Sequence, residues 1–155
     1  MRVRPPLAVA MLLSIAPACG GAREAPMVGV DAAAYAPSLG VDLTTGTRTG
    51  SGLWYMDVRE GDGARAEPGR TVSIAYTGWL ADGTRFDGAA VDRPLEFVIG
   101  ERRAIRGFEE GVRGMRVGGR RKLVVPPALG YGRERMGPVP ANAVLVFDVE
   151  LVRVR

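Results

Sequence analysis

The chain has 155 residues, 46% of them hydrophobic and 25% charged, with a formal net charge of +4, which suits one soluble globular domain and argues against wholesale disorder. It contains no histidine and one cysteine, so Ser-His-Asp and Cys-His nucleophile systems, histidine-bearing zinc sites and an intrachain disulfide are excluded. No GxxxxGKS/T phosphate loop is present, and setting aside Arg2 and Arg4 of the leader lowers the charge to about +2, too little to point to nucleic acid.

From the N terminus, MRVRPPLAVAMLLSIAPACGG sets two arginines before the apolar run Leu7 to Ile15, with small residues up to Cys19. That is the order of a secretory signal, and the run is too short to span a bilayer as a helix. Residues 1–19 therefore read as a signal peptide and the protein as exported. Beside an inert leader, two outcomes stay open at APAC. The segment resembles a bacterial lipobox, with Ala16 where Leu is usual, in which Cys19 would carry a lipid and anchor the chain to a membrane. Ala16-Pro17-Ala18 also fits simple cleavage to a soluble exported protein. An unpaired thiol in an exported chain favours lipidation. Residues 20–50, rich in Ala, Gly, Pro and Thr without a clear period, read as a flexible tether.

The folded domain is expected over residues 51–155. Leu53 to Arg59 reads as a first strand and EGDGARAEPGR as a break. Val72, Ile74 and Tyr76 alternate with Ser73, Ala75 and Thr77, the period of a strand with one buried face. Asp82-Gly83 in LADGT signals a hairpin turn, and Leu95 to Ile99 a further strand. In AIRGFEEGVRGM, Ile105, Phe108, Val112 and Met115 recur at intervals of three and four. This predicts one short helix with Glu109, Glu110 and Arg113 toward water, weakened by Gly107 and Gly111. Arg120 to Val125 is a strand that stops at Pro126-Pro127. In the last segment Leu145, Phe147, Val149 and Leu151 alternate with Val144, Val146, Asp148 and Glu150. The result is an α+β domain, an antiparallel sheet wrapped around one short helix. The arginines between Arg102 and Lys122 read as a solvated face.

Three blocks, YTGWLADGTRFD, IRGFEEGVRGMRVGGRRKLVVPPALGYG and PANAVLVFDVELV, together resemble the FKBP-type peptidyl-prolyl cis-trans isomerases. The resemblance runs over about residues 52 to 155, in family order and nearly family spacing, which makes it far more specific than a lone short motif. It implies an FKBP-like fold and an isomerase pocket formed by Tyr76, Phe86, Asp87, Phe97, Ile105, Phe108, Tyr131 and Phe147, with Ala104 and Val139 on its substrate-binding walls. The prolyl ring would sit on Phe108 between Tyr76, Phe97 and Phe147, while the Ile105 N–H and the Tyr131 hydroxyl hold substrate carbonyls. Asp87, held by Tyr76 and Arg93, would fix pocket geometry rather than abstract a proton.

The resemblance also implies proline-containing polypeptide clients and macrolide binding; the sequence indicates no cofactor or metal, and with no long heptad pattern a monomer is the default. The chain departs from the family pattern in having Phe108 where Trp is frequent and Ala104 where Val is common. The loops GAAVDRP and Gly132 to Pro140 are each about one residue shorter than in compact members. These changes bear on substrate preference and macrolide affinity. Two other readings remain: a binding module that uses the same pocket without turnover, and a basic domain that docks on an anionic lipid or polymer surface.

Overall fold

The computed structural model describes residues 28–155; the leader, Cys19 and the first part of the expected tether lie outside the described residues. Seven strands form one antiparallel sheet: β1 (Thr47–Arg48), β2 (Trp54–Arg59), β3 (Thr71–Leu80), β4 (Arg85–Ala89), β5 (Leu95–Val98), β6 (Arg120–Val125) and β7 (Leu145–Val154). The helix α1 (Arg106–Val112) lies between β5 and β6 in the chain. The spatial order is β1-β2-β6-β7-β3-β4, and β5 also pairs with β3.

β3 organises the sheet. Its first half, Thr71 to Ile74, pairs with β5, and its second half, Tyr76 to Trp79, pairs with β4. Along its other edge it pairs with β7 from Val72↔Val154 to Leu80↔Leu145. The Asp-Gly turn behaves as its sequence demands. Gly83 takes φ +93°, a left-handed conformation that costs glycine little, while Asp82 accepts from the Thr84 N–H at 2.8 Å.

The alternation in β7 survives folding, with Leu145, Phe147, Val149 and Leu151 all buried on the inner side. They join Val72 and Ile74 of β3, Leu123 and Val125 of β6, and Phe108 and Val112 of α1 in the main core. The helix covers Arg106–Val112 only, shorter than the periodic segment. Ile105 is its N-cap, and Met115 is buried beyond its end.

The two glycines of α1 have a structural reason. A Cβ at Gly107 would come within 2.6 Å of Val125 Cγ1, and one at Gly111 within 2.7 Å of the Leu123 methyls. Their absence lets the helix axis approach β6 closely, at the expense of helix propensity. Glu109 does not face water as its sequence position suggests. It is 8% exposed, one carboxylate oxygen accepts from the Gly100 N–H at 3.1 Å, and the other has no partner among the described residues.

The tether expected over residues 20–50 is replaced, from Val28 onward, by a packed layer. Val30 and Leu39 are buried in a second apolar cluster with Trp54, Val124, Val144 and Val146, on the side of the sheet away from α1. Hydrogen bonds hold this strap in place. The Ala36 N–H donates to Ala81 O at 2.8 Å, the Trp54 indole N–H donates to Leu43 O at 3.2 Å, and Arg48 pairs with Asp31. The sequence pattern misses the layer because its apolar residues sit on two short 3-10 turns, Val30–Ala32 and Pro37–Leu39, with no helical or strand period. The outward residues Val144 and Val146 are apolar because the strap covers them.

Candidate active site

The inner face of the sheet opens beside the start of α1 into a cavity of about 340 Å³ lined by Tyr76, Asp87, Leu95, Arg103, Ala104, Ile105, Phe108, Tyr131 and Phe147. Its aromatic floor is an edge-to-face cluster. The Phe108 ring centroid lies 4.6 Å from that of Phe147 and 4.9 Å from that of Tyr76, and Tyr76 stands 6.0 Å from Phe147. Such contacts fix ring orientation as well as burying area.

Register explains why these rings meet. Gly78 of β3 lies opposite Phe147 of β7 on one side and Asp87 of β4 on the other. A Cβ at Gly78 would stand 2.7 Å from Phe147 Cε1 and 3.0 Å from Phe86 Cζ. The missing side chain is the space into which both rings lean, and Phe86 packs edge-on against Phe147 at 5.7 Å. Phe86 thus buttresses the floor without lining the cavity.

Polar groups sit on the rim. The Tyr76 hydroxyl donates to Asp87 Oδ2 at 2.7 Å, and the Gly88 N–H donates to Asp87 Oδ1 at 2.8 Å. The second anchor of Asp87 is therefore the backbone of Gly88 rather than Arg93. Burial, followed by the bond to Asp87, pushes the Tyr76 hydroxyl well above the ordinary tyrosine range. Tyr131 is pushed up as well, first by burial and then by the Asp87 carboxylate.

The Ile105 carbonyl accepts from the N–H groups of Phe108 and Glu109 and so starts the helix. Its own N–H has no partner among the described residues. Tyr131 follows the 3-10 turn Pro127–Leu129, clamped by the Gly132 N–H to Pro127 O at 2.8 Å. The arrangement is an apolar box with a backbone N–H and a phenol at its mouth. It can hold a compact ring and orient carbonyl oxygens.

Seven of the ten pocket residues expected from the sequence line the cavity; Phe86 stands behind it. Phe97 and Val139 are buried in the main core, 4% and 2% exposed, in the same cluster as Phe108 and Phe147, and are not among the residues that line the cavity. Phe97 pairs in register with Val72, two residues beyond Leu95 on the same face of β5. Two lining residues were not expected, Leu95 and Arg103. Leu95 lies opposite Ile74 in the register, a relationship that no local period reveals. Arg103 is hidden among the other arginines of its segment.

A family model described as FKBP-type peptidyl-prolyl cis-trans isomerase matches residues 63–152. The FK506-binding protein of Neisseria meningitidis serogroup B is 44% identical over 106 residues, covering 66% of this chain and 96% of that protein. FK506-binding protein 4 of Mycosarcoma maydis is 40% identical over 111 residues, covering 72% of this chain, which spans 30% of that longer protein. Among solved structures, FkpA from Escherichia coli superposes with a TM-score of 0.65 at 38% identity, covering 71% of this chain and 51% of FkpA. AtFKBP13 gives a TM-score of 0.65 at 32% identity, covering 71% of this chain and 98% of that one. With its aromatic box in place and a relative matched along nearly its whole length, the chain belongs to the FKBP-type peptidyl-prolyl cis-trans isomerase family.

Proposed function

We propose that this protein is an exported prolyl isomerase that speeds rotation about X-Pro bonds in folding envelope polypeptides. The observation that carries the reading is the box of Tyr76, Phe108 and Phe147 with the unpartnered Ile105 N–H beside it. The leader MRVRPPLAVAMLLSIAPACGG supports export, and its APAC segment supports a lipid on Cys19 that would hold the domain at a membrane surface.

The chemistry needs no nucleophile. Amide resonance sets a barrier of about 18–20 kcal/mol to rotation, and that resonance makes the planar amide strongly polar. In the twisted transition state the nitrogen lone pair leaves the carbonyl, and the amide becomes less polar. An apolar box therefore disfavours the planar forms more than the twisted one, which is differential binding of the transition state. Phe108 forms the floor for the prolyl ring, with Tyr76 and Phe147 as walls. The Ile105 N–H and the Tyr131 hydroxyl orient substrate carbonyls, and Asp87 holds the Tyr76 ring by its hydroxyl. Each ~1.4 kcal/mol of selective stabilisation is worth tenfold in rate.

The test is NMR exchange or protease-coupled isomerisation of short X-Pro peptides by the full chain, with Phe147→Ala, Tyr131→Phe and Asp87→Asn as variants. Acceleration that falls in all three folded variants is the expected result. A folded wild type that binds these peptides without accelerating them would replace the isomerase by a peptide-binding module.

A further inference from the structure

The cavity has a charged wall that the reaction itself does not use. Arg103 lines it next to Ala104 and Ile105, and its side chain is 77% exposed. Its partner is Glu101, with Nε 3.2 Å from Oε2, and that carboxylate is itself 51% exposed. An ion pair this open to water is weak and exchanges readily with a competing carboxylate.

The opposite charge in the cavity is that of Asp87, which its two neutral hydrogen-bond donors do not cancel, and peptide turnover reads the balance between it and Arg103. Both oxygens of Asp87 accept hydrogen bonds, from the Tyr76 hydroxyl and the Gly88 N–H. The segment Glu101 to Arg106 carries three arginines against one glutamate. Arg102 and Arg106 are both exposed on either side of the Arg103–Ile105 wall. Arg103 and Phe108 line the same cavity, so a peptide with its proline on Phe108 has this rim within reach of its flanking residues.

We propose that Arg103 is a specificity-determining residue that favours substrates with an acidic side chain within two residues of the proline. It attracts a glutamate or aspartate on the chain leaving the box and repels a lysine there. The inference rests on the isomerase reading of the same cavity and deepens it by naming a substrate class.

The experiment scans a peptide containing one Ala-Pro bond, placing Glu, Ala or Lys in turn at each position within two residues of the proline, and measures kcat/KM with the full chain at low salt. At one position or more, Glu should exceed Lys by about threefold, with the ratio shrinking as salt is added. Arg103→Ala should bring the ratio close to one, and Arg103→Glu should invert it. Arg65→Ala removes an equal charge from an exposed residue lining a different cavity, and should leave the ratio as in the wild type.

Equal kcat/KM for Glu, Ala and Lys at every position would overturn the proposal. So would a Glu preference that survives Arg103→Ala, or one lost equally in Arg65→Ala. Turnover of the all-alanine peptide tests the isomerase reading separately. If no peptide turns over, the same Glu-to-Lys ratio is read as relative Kd by NMR titration, with the same expected and overturning results.

Discussion

Gly78 and Phe147 face each other across β3 and β7, and the Phe147 ring occupies the volume that a side chain at Gly78 would need, with Cε1 2.7 Å from the site of a Cβ. The aromatic floor of the cavity depends on this pairing. Gly78→Ala should push Phe147 and Phe86 off their present rotamers, costing about 1–3 kcal/mol of stability as overpacking does. The floor for the prolyl ring should be distorted with it. Urea unfolding and peptide isomerisation on one preparation check both effects. A variant with unchanged stability and full activity would show that the two rings repack freely.

The approach of α1 to β6 predicts a sign that propensity alone gets wrong. On an exposed helix Gly→Ala gains about 1 kcal/mol. At Gly107 the added methyl would meet Val125 Cγ1 at 2.6 Å, so Gly107→Ala should destabilise the domain. Because Ile105 caps this helix, it should also shift the N–H proposed to hold a substrate carbonyl. Denaturation midpoints for Gly107→Ala and wild type decide the sign, and an increase in midpoint would refute the packing account.

Much of this architecture was legible in the sequence because it follows local periods. The alternation of Leu145, Phe147, Val149 and Leu151, the Asp82-Gly83 turn and the spacing of Phe108 and Val112 each specify an element and its buried face. What was not legible depends on register and layering. Leu95 reaches the cavity from its place opposite Ile74, Phe97 lies in the core opposite Val72, and Asp87 finds its second donor in its own neighbour Gly88. The two strand pairings have no signature within a window of ten residues, and the Asp87–Gly88 bond, though local, is set by how the strand turns the carboxylate. Glu109 reads as surface because charged residues seldom lie buried, yet the Gly100 N–H gives it a reason to be inside.

The strap over the outer face gives the clearest contrast between the two expectations for residues 28–50. A substitution in a flexible tether would change stability by less than about 0.5 kcal/mol. Leu39 is 4% exposed against Trp54, Val124 and Val146, so Leu39→Ala should cost about 2–5 kcal/mol, as core truncations do. Chemical denaturation of the full chain measures it directly. Removing residues 28–49 altogether should lower the melting temperature and expose Trp54, seen as a red shift in its fluorescence. Isomerase assays are therefore best made on a chain that keeps this segment.

The tyrosines predict how the protein responds to alkali. Burial raises the Tyr35 hydroxyl to about 12, and burial with the bond to Asp87 raises Tyr76 further. The ordinary tyrosine value is about 10. Below that pH both residues are neutral in the folded and unfolded chains, and they add no pH dependence. Above it the unfolded chain loses phenolic protons that the folded chain keeps. The unfolded state then binds fewer protons, and stability must fall as pH rises. For Tyr35 the loss runs from about 10 to about 12, and for Tyr76 it continues beyond. Urea midpoints between about pH 9 and 11.5 should therefore decline, and Tyr76→Phe should decline less steeply because its ring has no proton to lose. Activity should behave differently. With no histidine in the chain and no proton transfer in the mechanism, kcat/KM on neutral peptides should be flat between about pH 6 and 9. A bell-shaped profile in that range, abolished by Asp87→Asn, would mean that Asp87 moves a proton and does more than hold Tyr76 in place.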